Sequence, residues 1–391
     1  MLKQIEGSQA VADVVALCRP NVISAYPITP QTHIVEDLSL IVGQGRLDAE
    51  FVNVESEFTA ASVVLGASAA GARTYTATSS QGLLLMSEVI YCIAGMRLPI
   101  VLTCANRAIS APLSIWNDQQ DSMALRDAGW IQLFAEDNQE AADLHIQAFK
   151  IAEQTFLPVM VCMDGFILTH AFEPVDIPEQ KEVDDFLPPF KPKHIVDPNS
   201  PRGIGLFADP RFYMETRYIL HRAMEKSEET IKEVSADFAK TFGRDSGGFI
   251  KTYKLKEADV VIVSMGSVVG TIKDLIDQLE EEGKKVGLLQ ICSYRPFPRQ
   301  EIYSVLKDKM NIVVLEKSIS LGRGGILASD IRWSFPRAEK KDRNISSFIA
   351  GLGGRNITVN HLRYMIEKVE KEPVEIEFLG LNKELIAKKD L

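Results

Sequence analysis

The feature that most constrains this 391-residue chain is an alternation, between Val22 and Cys162, of short apolar runs with helical patterns. The strand candidates fall at 22–26, 50–54, 74–77, 100–105, 131–134 and 158–162, and helical periodicity occupies 32–42, 56–70, 83–94 and 139–154. Continuously apolar strands separated by helices predict a parallel sheet covered on both faces. A second alternation begins near Lys251, with strands at 260–264, 286–290, 312–316 and 346–350 and helices at 271–282, 298–306, 325–333 and 360–371. Between the two, residues 173–210 hold eight of the eighteen prolines, which reads as a linker or surface strap. Residues 212–242 then read as one long helix with Met214, Tyr218, Ala223 and Ile231 facing inward. The expected organisation is an α/β domain over 1–240, a second over 250–372 and a tail over 373–391.

A formal charge of −10 argues against nucleic acid as a partner, because phosphate binding needs a basic surface. No apolar run reaches membrane-spanning length and the N-terminus carries no charged-then-apolar leader, so the expectation is a cytoplasmic protein with no membrane partner. Cys18, Cys92, Cys104, Cys162 and Cys292 are scattered. Clustered thiolates for an iron–sulfur or zinc site are therefore lacking, and all five read as buried free thiols. No metal ligand set is expected on this chain.

Ligands of open α/β sheets bind beyond the carboxyl ends of the strands. The first run ends in Tyr26-Pro27-Ile28-Thr29-Pro30, where two prolines hold Ile28 and Thr29 in a stiff turn suited to mounting a cofactor ring. The second is followed by Ser56-Glu57 and the fourth by Asn106-Arg107. Taken singly, these read as a plain loop, a solvated acid in a first helical turn and a surface arginine. Further segments are Ser80-Gln81-Gly82-Leu83-Leu84-Leu85-Met86, Met163-Asp164-Gly165-Phe166, Tyr294-Arg295-Pro296-Phe297-Pro298 and Ile349-Ala350-Gly351-Leu352-Gly353-Gly354-Arg355. Together, in this order and over nearly the whole chain, they resemble the alpha subunit of 2-oxoacid:ferredoxin oxidoreductases, thiamine-diphosphate enzymes typified by pyruvate:ferredoxin oxidoreductase.

The resemblance implies a pyrimidine-type thiamine-diphosphate domain followed by a domain like the C-terminal domain of transketolases. It implies oxidative decarboxylation of pyruvate with coenzyme A to acetyl-CoA, carbon dioxide and reduced ferredoxin, or the reverse synthesis. It places Tyr26, Pro27, Ile28 and Glu57 at the cofactor, with the Glu57 carboxyl sharing a proton with N1′ of the aminopyrimidine ring. It places Arg107 and Thr29 at the 2-oxoacid, the planar guanidinium gripping the carboxylate and the Thr29 hydroxyl donating to it. With no second cation in these motifs, a distal carboxylate as in 2-oxoglutarate is disfavoured. The Gly-Asp-Gly that opens the magnesium-diphosphate half of such sites is missing, Asp164-Gly165 being preceded by Met163. Thiamine diphosphate would thus be shared with a beta subunit. Magnesium and [4Fe-4S] clusters would sit on partner beta, gamma and delta subunits. Gly322-Arg323-Gly324-Gly325 and 351–354 fit neither a dinucleotide fingerprint nor a P-loop and read as tight turns, with coenzyme A or subunit contact left open. Leu113, Ile115 and Trp116 are candidates for tail selectivity. The alternatives are a branched-chain or aryl 2-oxoacid enzyme, a non-catalytic scaffold, and a self-sufficient transketolase-type enzyme, the last opposed by the missing magnesium motif.

Overall fold

The computed structural model describes residues 2–192, 194–201, 203–336 and 343–388. In chain order the first part comprises β1 (Leu2–Glu6), α1 (Gly7–Leu17), β2 (Val22–Ala25), α2 (Thr32–Gly43), β3 (Glu50–Asn53), α3 (Glu57–Ala69), β4 (Thr74–Thr78), α4 (Ser80–Leu85) and α5 (Ser87–Gly95). It continues through β5 (Ile100–Asn106), α6 (Gln120–Ala124), β6 (Ile131–Phe134), α7 (Asn138–Thr155), β7 (Val159–Asp164), β8 (Phe172–Asp176), α8 (Gln180–Phe186) and α9 (Tyr213–Phe242). There follow β9 (Ile250–Tyr253), β10 (Val260–Ser264), α10 (Val268–Glu281), β11 (Val286–Ile291), β12 (Ser293–Arg295) and α11 (Arg299–Leu306). The last are β13 (Asn311–Glu316), α12 (Ile326–Ser334), β14 (Asn344–Ile349), α13 (Val359–Val369) and β15 (Glu377–Phe378). Two compact units result, one of Met1–Ile250 with Cys292–Pro298, the other of Lys251–Ile291 with Arg299–Leu391.

The first unit is built on a seven-stranded sheet of order β12-β6-β7-β5-β4-β2-β3. Every pairing is parallel except β12 with β6, where the short Tyr294 segment returns antiparallel along the edge. β5 and β7 are buried at every residue, which is why their sequences run apolar without alternating. The expected helix over 83–94 is instead two. α4 starts at Ser80, whose backbone adopts φ +49°, and the chain turns again at Met86 before α5. The proline-rich strap is more ordered than its composition suggests. β8 pairs antiparallel with β1, and α8 carries a Glu179–Glu182 capping box. In α9, Ile231 is buried as expected, but Met214 and Tyr218 are exposed. The buried stripe of that helix runs through Leu220, Ser227, Ile231, Val234, Ser235 and Phe238, so its inward face does not extend back to the first turns. Cys92 on α5 is exposed, which corrects the expectation of five buried thiols; the other four are buried.

The second unit has a six-stranded sheet of order β15-β14-β13-β10-β11-β9. Its core joins α10 and α13 to one sheet face through Ile272, Leu275, Leu279, Leu362, Met365 and Ile366. At the end of β13, the buried carboxylate of Glu316 turns to the N-terminus of α12. It accepts the backbone N–H groups of Ile326 (2.7 Å), Leu327 (2.9 Å) and Ala328 (3.1 Å), and the Ser318 hydroxyl at 3.2 Å. Burial pushes this carboxyl up, and the three amides pull against it. Gly325 is required there, since a Cβ would collide with the Glu316 carboxylate. Among the described residues no helix is long and apolar enough to cross a membrane.

Candidate active site

The sequence-selected residues all belong to the first unit and lie at or just beyond the carboxyl ends of β2, β3 and β5. Beyond β2 the chain turns through 26–31, leaving Tyr26, Pro27 and Thr29 exposed and Pro30 buried. What holds this turn is a residue that sequence reasoning passed over. Gln31 is fully buried; its side-chain carbonyl accepts from Ile28 N (3.2 Å) and its amide donates to Ala77 O of β4 (2.8 Å). The turn's geometry therefore comes from a buried side-chain amide as well as from its prolines.

Glu57 is the first residue of α3, directly after Ser56, whose hydroxyl caps the helix by accepting from Thr59 N at 3.2 Å. Ser56 thus explains why the helix begins here and why Glu57 projects back over the strand ends. The side chain is 8% exposed and makes no hydrogen bond or ion pair with any described residue. It lies against Gly82 of α4: a Cβ there would come within 2.7 Å of Glu57 Oε1 and 2.5 Å of Thr78 Oγ1. Thr78 Oγ1 is buried and has no partner either. A nearly buried acid beside a glycine-lined wall is a costly arrangement for a merely structural residue.

Arg107 follows β5 and is 6% exposed. Its Nη1 donates to Thr29 O and its Nε to Ser114 O, both at 2.9 Å. The structure thus brings Arg107 and Thr29 together, through the Thr29 main-chain carbonyl rather than its hydroxyl. Nη2 makes no hydrogen bond to a described residue, so the outer edge of the guanidinium remains open to an anion. Burial pulls the Arg107 pKa down and Asp121 partly offsets this. The loop it supports, closed by Ala108 N to Trp116 O at 3.0 Å, presents Leu113, Ile115 and Trp116 to solvent.

Beneath Arg107 is a buried polar layer that sequence reasoning also missed. Asp121 Oδ2 accepts from Ser80 N (2.9 Å) and Arg107 N (3.0 Å), while Oδ1 accepts from Asn106 Nδ2 (2.7 Å) and Ser122 N (2.8 Å). Burial nevertheless pushes its carboxyl up, to about 6. Asn117 bridges Asn106 O and the Asp164 carboxylate, both at 3.1 Å. The signal was present in the run Asn117-Asp118-Gln119-Gln120-Asp121-Ser122, whose polarity reads as surface loop unless the layer it fills is seen.

Residues 13–236 match the thiamine-diphosphate-binding domain of pyruvate flavodoxin/ferredoxin oxidoreductase, and residues 258–362 match core domain II of pyruvate:ferredoxin oxidoreductase. The chain belongs to the pyruvate flavodoxin/ferredoxin oxidoreductase family. Pyruvate synthase subunit PorA of Methanocaldococcus jannaschii is 50% identical over 375 residues, 95% of each chain. Ketoisovalerate oxidoreductase subunit VorA of Pyrococcus abyssi is 41% identical over 370 residues, covering 94% of this chain and 93% of that one. Among solved structures, 2-oxoglutarate:ferredoxin oxidoreductase from Magnetococcus marinus, with 2-oxoglutarate, coenzyme A and succinyl-CoA bound, superposes with a TM-score of 0.74 at 22% identity. That match covers 94% of this chain and 65% of the other, longer one, and speaks to the fold alone.

Proposed function

We propose that this chain is the alpha subunit of a pyruvate:ferredoxin oxidoreductase, taking pyruvate and coenzyme A to acetyl-CoA and carbon dioxide with an electron pair passed to ferredoxin, or running in reverse. The observation that carries the reading is the Glu57 carboxyl, nearly buried and unpaired, at the same sheet edge as the Arg107–Thr29 pair. Thiamine diphosphate, when bound, supplies the carbanion chemistry that decarboxylation requires. Glu57 would hold and return the proton at N1′ of its aminopyrimidine ring. Tyr26, Pro27 and Ile28 would supply apolar contact to that ring. The open edge of the Arg107 guanidinium would orient the substrate carboxylate, with the Thr29 hydroxyl as a second donor. The chain carries one carboxyl for the pyrimidine side and no magnesium motif for the diphosphate side. Its complement, with magnesium and [4Fe-4S] clusters, is assigned to a beta subunit, and gamma and delta subunits would complete the complex in the cytoplasm.

A branched-chain 2-oxoacid is the second reading, favoured by the exposed Leu113, Ile115 and Trp116 beside Arg107. Steady-state assay of the reconstituted complex with pyruvate, 2-oxoisovalerate and 2-oxoglutarate decides between them. Pyruvate is expected to give the highest kcat/KM; a clear preference for 2-oxoisovalerate would replace the first reading with the second. Failure to turn over any 2-oxoacid, with all subunits and cofactors present, would leave the chain a scaffold.

A further inference from the structure

Behind the candidate active site, three residues from three separate elements converge. Glu6 closes β1, His33 lies in the first turn of α2, and His170 lies in the turns that follow β7. One carboxylate oxygen and one nitrogen from each imidazole lie within 4.8 Å of one another. His33 Nδ1 is 2.7 Å from Glu6 Oε1, and the two imidazole rings stack with centroids 4.7 Å apart.

The backbone that carries them is fixed. Gly7 N donates to Ala171 O (3.1 Å), Ser8 N to Thr169 O (2.9 Å) and Ser8 Oγ to the same Thr169 O (2.8 Å), so the segments bearing Glu6 and His170 are tied together. Gly7 permits that approach, because a Cβ would collide with Leu168 O and the Asn138 side chain. His170 Nδ1 is 2.8 Å from Thr169 Oγ1, a contact that orients the ring and directs Nε2 away from Thr169. Glu6, Glu36 and Asp37 act electrostatically on His33, giving the place a negative field. Nothing in the proposed reaction uses these residues.

We propose that Glu6, His33 and His170 bind one divalent transition cation of the zinc class, with water completing its coordination. Two imidazoles and one carboxylate suit zinc, cobalt or nickel, whereas magnesium and calcium prefer oxygen ligands throughout. Tetrahedral zinc with bonds of about 2.0–2.1 Å needs its ligand atoms roughly 3.3 Å apart. Reaching this requires His33, whose side chain is 46% exposed, to rotate out of its 2.7 Å contact with Glu6. Phe166 stacks on His170 at 4.8 Å and Trp116 on Phe166 at 4.9 Å, while a Cβ on Gly165 would meet Asn106 O at 2.5 Å and Pro30 at 2.6 Å. An ion in this position would therefore brace, from behind, the turn against which Pro30 and Asn106 pack.

The test uses the full chain, tag-free and stripped with chelator, titrated with Zn²⁺ by calorimetry and with Co²⁺ by visible absorption. One Zn²⁺ per chain is expected, with an affinity on the order of micromolar or tighter, and a raised melting midpoint on binding. His33→Ala, at a half-exposed position that tolerates truncation, and Glu6→Gln should each weaken binding by roughly tenfold or more. Cys92→Ser, which removes the exposed thiol, should not. The proposal is overturned if no saturable binding occurs below about 100 μM, or if Zn²⁺ binds equally well to His33→Ala and Glu6→Gln.

Discussion

Asp121→Asn offers a sharp test of how the site is held, because it keeps the shape of the side chain while changing what it can accept. Four N–H groups donate to the carboxylate, two to each oxygen, and the Cys104 thiol adds a longer contact to Oδ2 at 3.5 Å. An amide in either orientation turns its NH₂ toward two of them, and each buried donor left without an acceptor costs about 1–3 kcal/mol. Against this, burial holds the carboxyl near 6 rather than 3.8, so at neutral pH the ionised aspartate itself costs roughly 3 kcal/mol. The two effects nearly offset, and Asp121→Asn should change stability at pH 7 by no more than about 2–3 kcal/mol. Function should suffer more. If the NH₂ faces Ser80 N and Arg107 N, both backbones are released, and a displacement near 1 Å at a substrate-positioning group costs on the order of 10²-fold in kcat/KM. The pH dependence of stability carries a separate signature. A carboxyl whose folded pKa is raised keeps its proton in the folded chain after the unfolded chain has released it. Stability from Asp121 is therefore fully present below about 3.8 and is lost as pH rises to about 6. In Asp121→Asn that downward slope should vanish. Urea melts of the chain between pH 4 and 7, with pyruvate kinetics of the reconstituted complex, measure both. A variant with wild-type kcat/KM and an unchanged stability profile would refute both the anchoring role and the raised pKa.

His145 should give the opposite slope: it is fully buried, it lies within hydrogen-bond distance of Thr103 Oγ1 and Ala141 O, and burial lowers its pKa to about 4. On acidification the unfolded chain is protonated first, so stability falls from about pH 6.5 down to about 4, and His145→Gln should remove that fall in the same urea melts. Glu57→Gln should reduce turnover of the reconstituted complex by about 10²–10⁴ with assembly intact, since an amide cannot exchange the required proton; near-normal rates at full cofactor occupancy would remove its assigned role. Arg107→Lys should raise the apparent KM for the 2-oxoacid, because an ammonium cannot match a two-pronged grip; unchanged kinetics toward every 2-oxoacid tested would return it to a structural ion. Isothermal titration of the lone chain with thiamine diphosphate and magnesium should show weak binding or none, becoming tight only when the beta subunit is added.

The parallel architecture was legible because its strands are buried on both faces and so announce themselves as unbroken apolar runs. That Glu57, Arg107 and Thr29 lie beyond strand ends was legible because those strands were, whereas their proposed roles came from the family resemblance. Three kinds of feature escaped. β1 is mostly exposed and polar and β12 is only three residues long, and their pairing with β8 and β6 depends on partners far away in sequence. Gln31 and Asp121 are polar residues in polar-looking segments, and only the tertiary packing reveals that they are inside. Met214 and Tyr218 were misplaced because apolar character in a long helix does not say at which turn its contact with the rest of the fold begins.

The carboxylate of Glu316, seated on the first three amides of α12, already fills the anion position beside the glycine-rich turn. An incoming phosphate would have to compete with an anion that is already tethered, oriented and unable to diffuse away. Such intramolecular occupancy corresponds to an effective concentration far above the millimolar range of soluble phosphates. Gly325 is then explained by the width of a carboxylate, because Glu316 fills the space a side chain would need, whereas Gly322 and Gly324 serve the turn through their positive φ of +76° and +111°. A helix end that supplies its own counter-anion has its first three amides already engaged, where the turn joins β13 to α12.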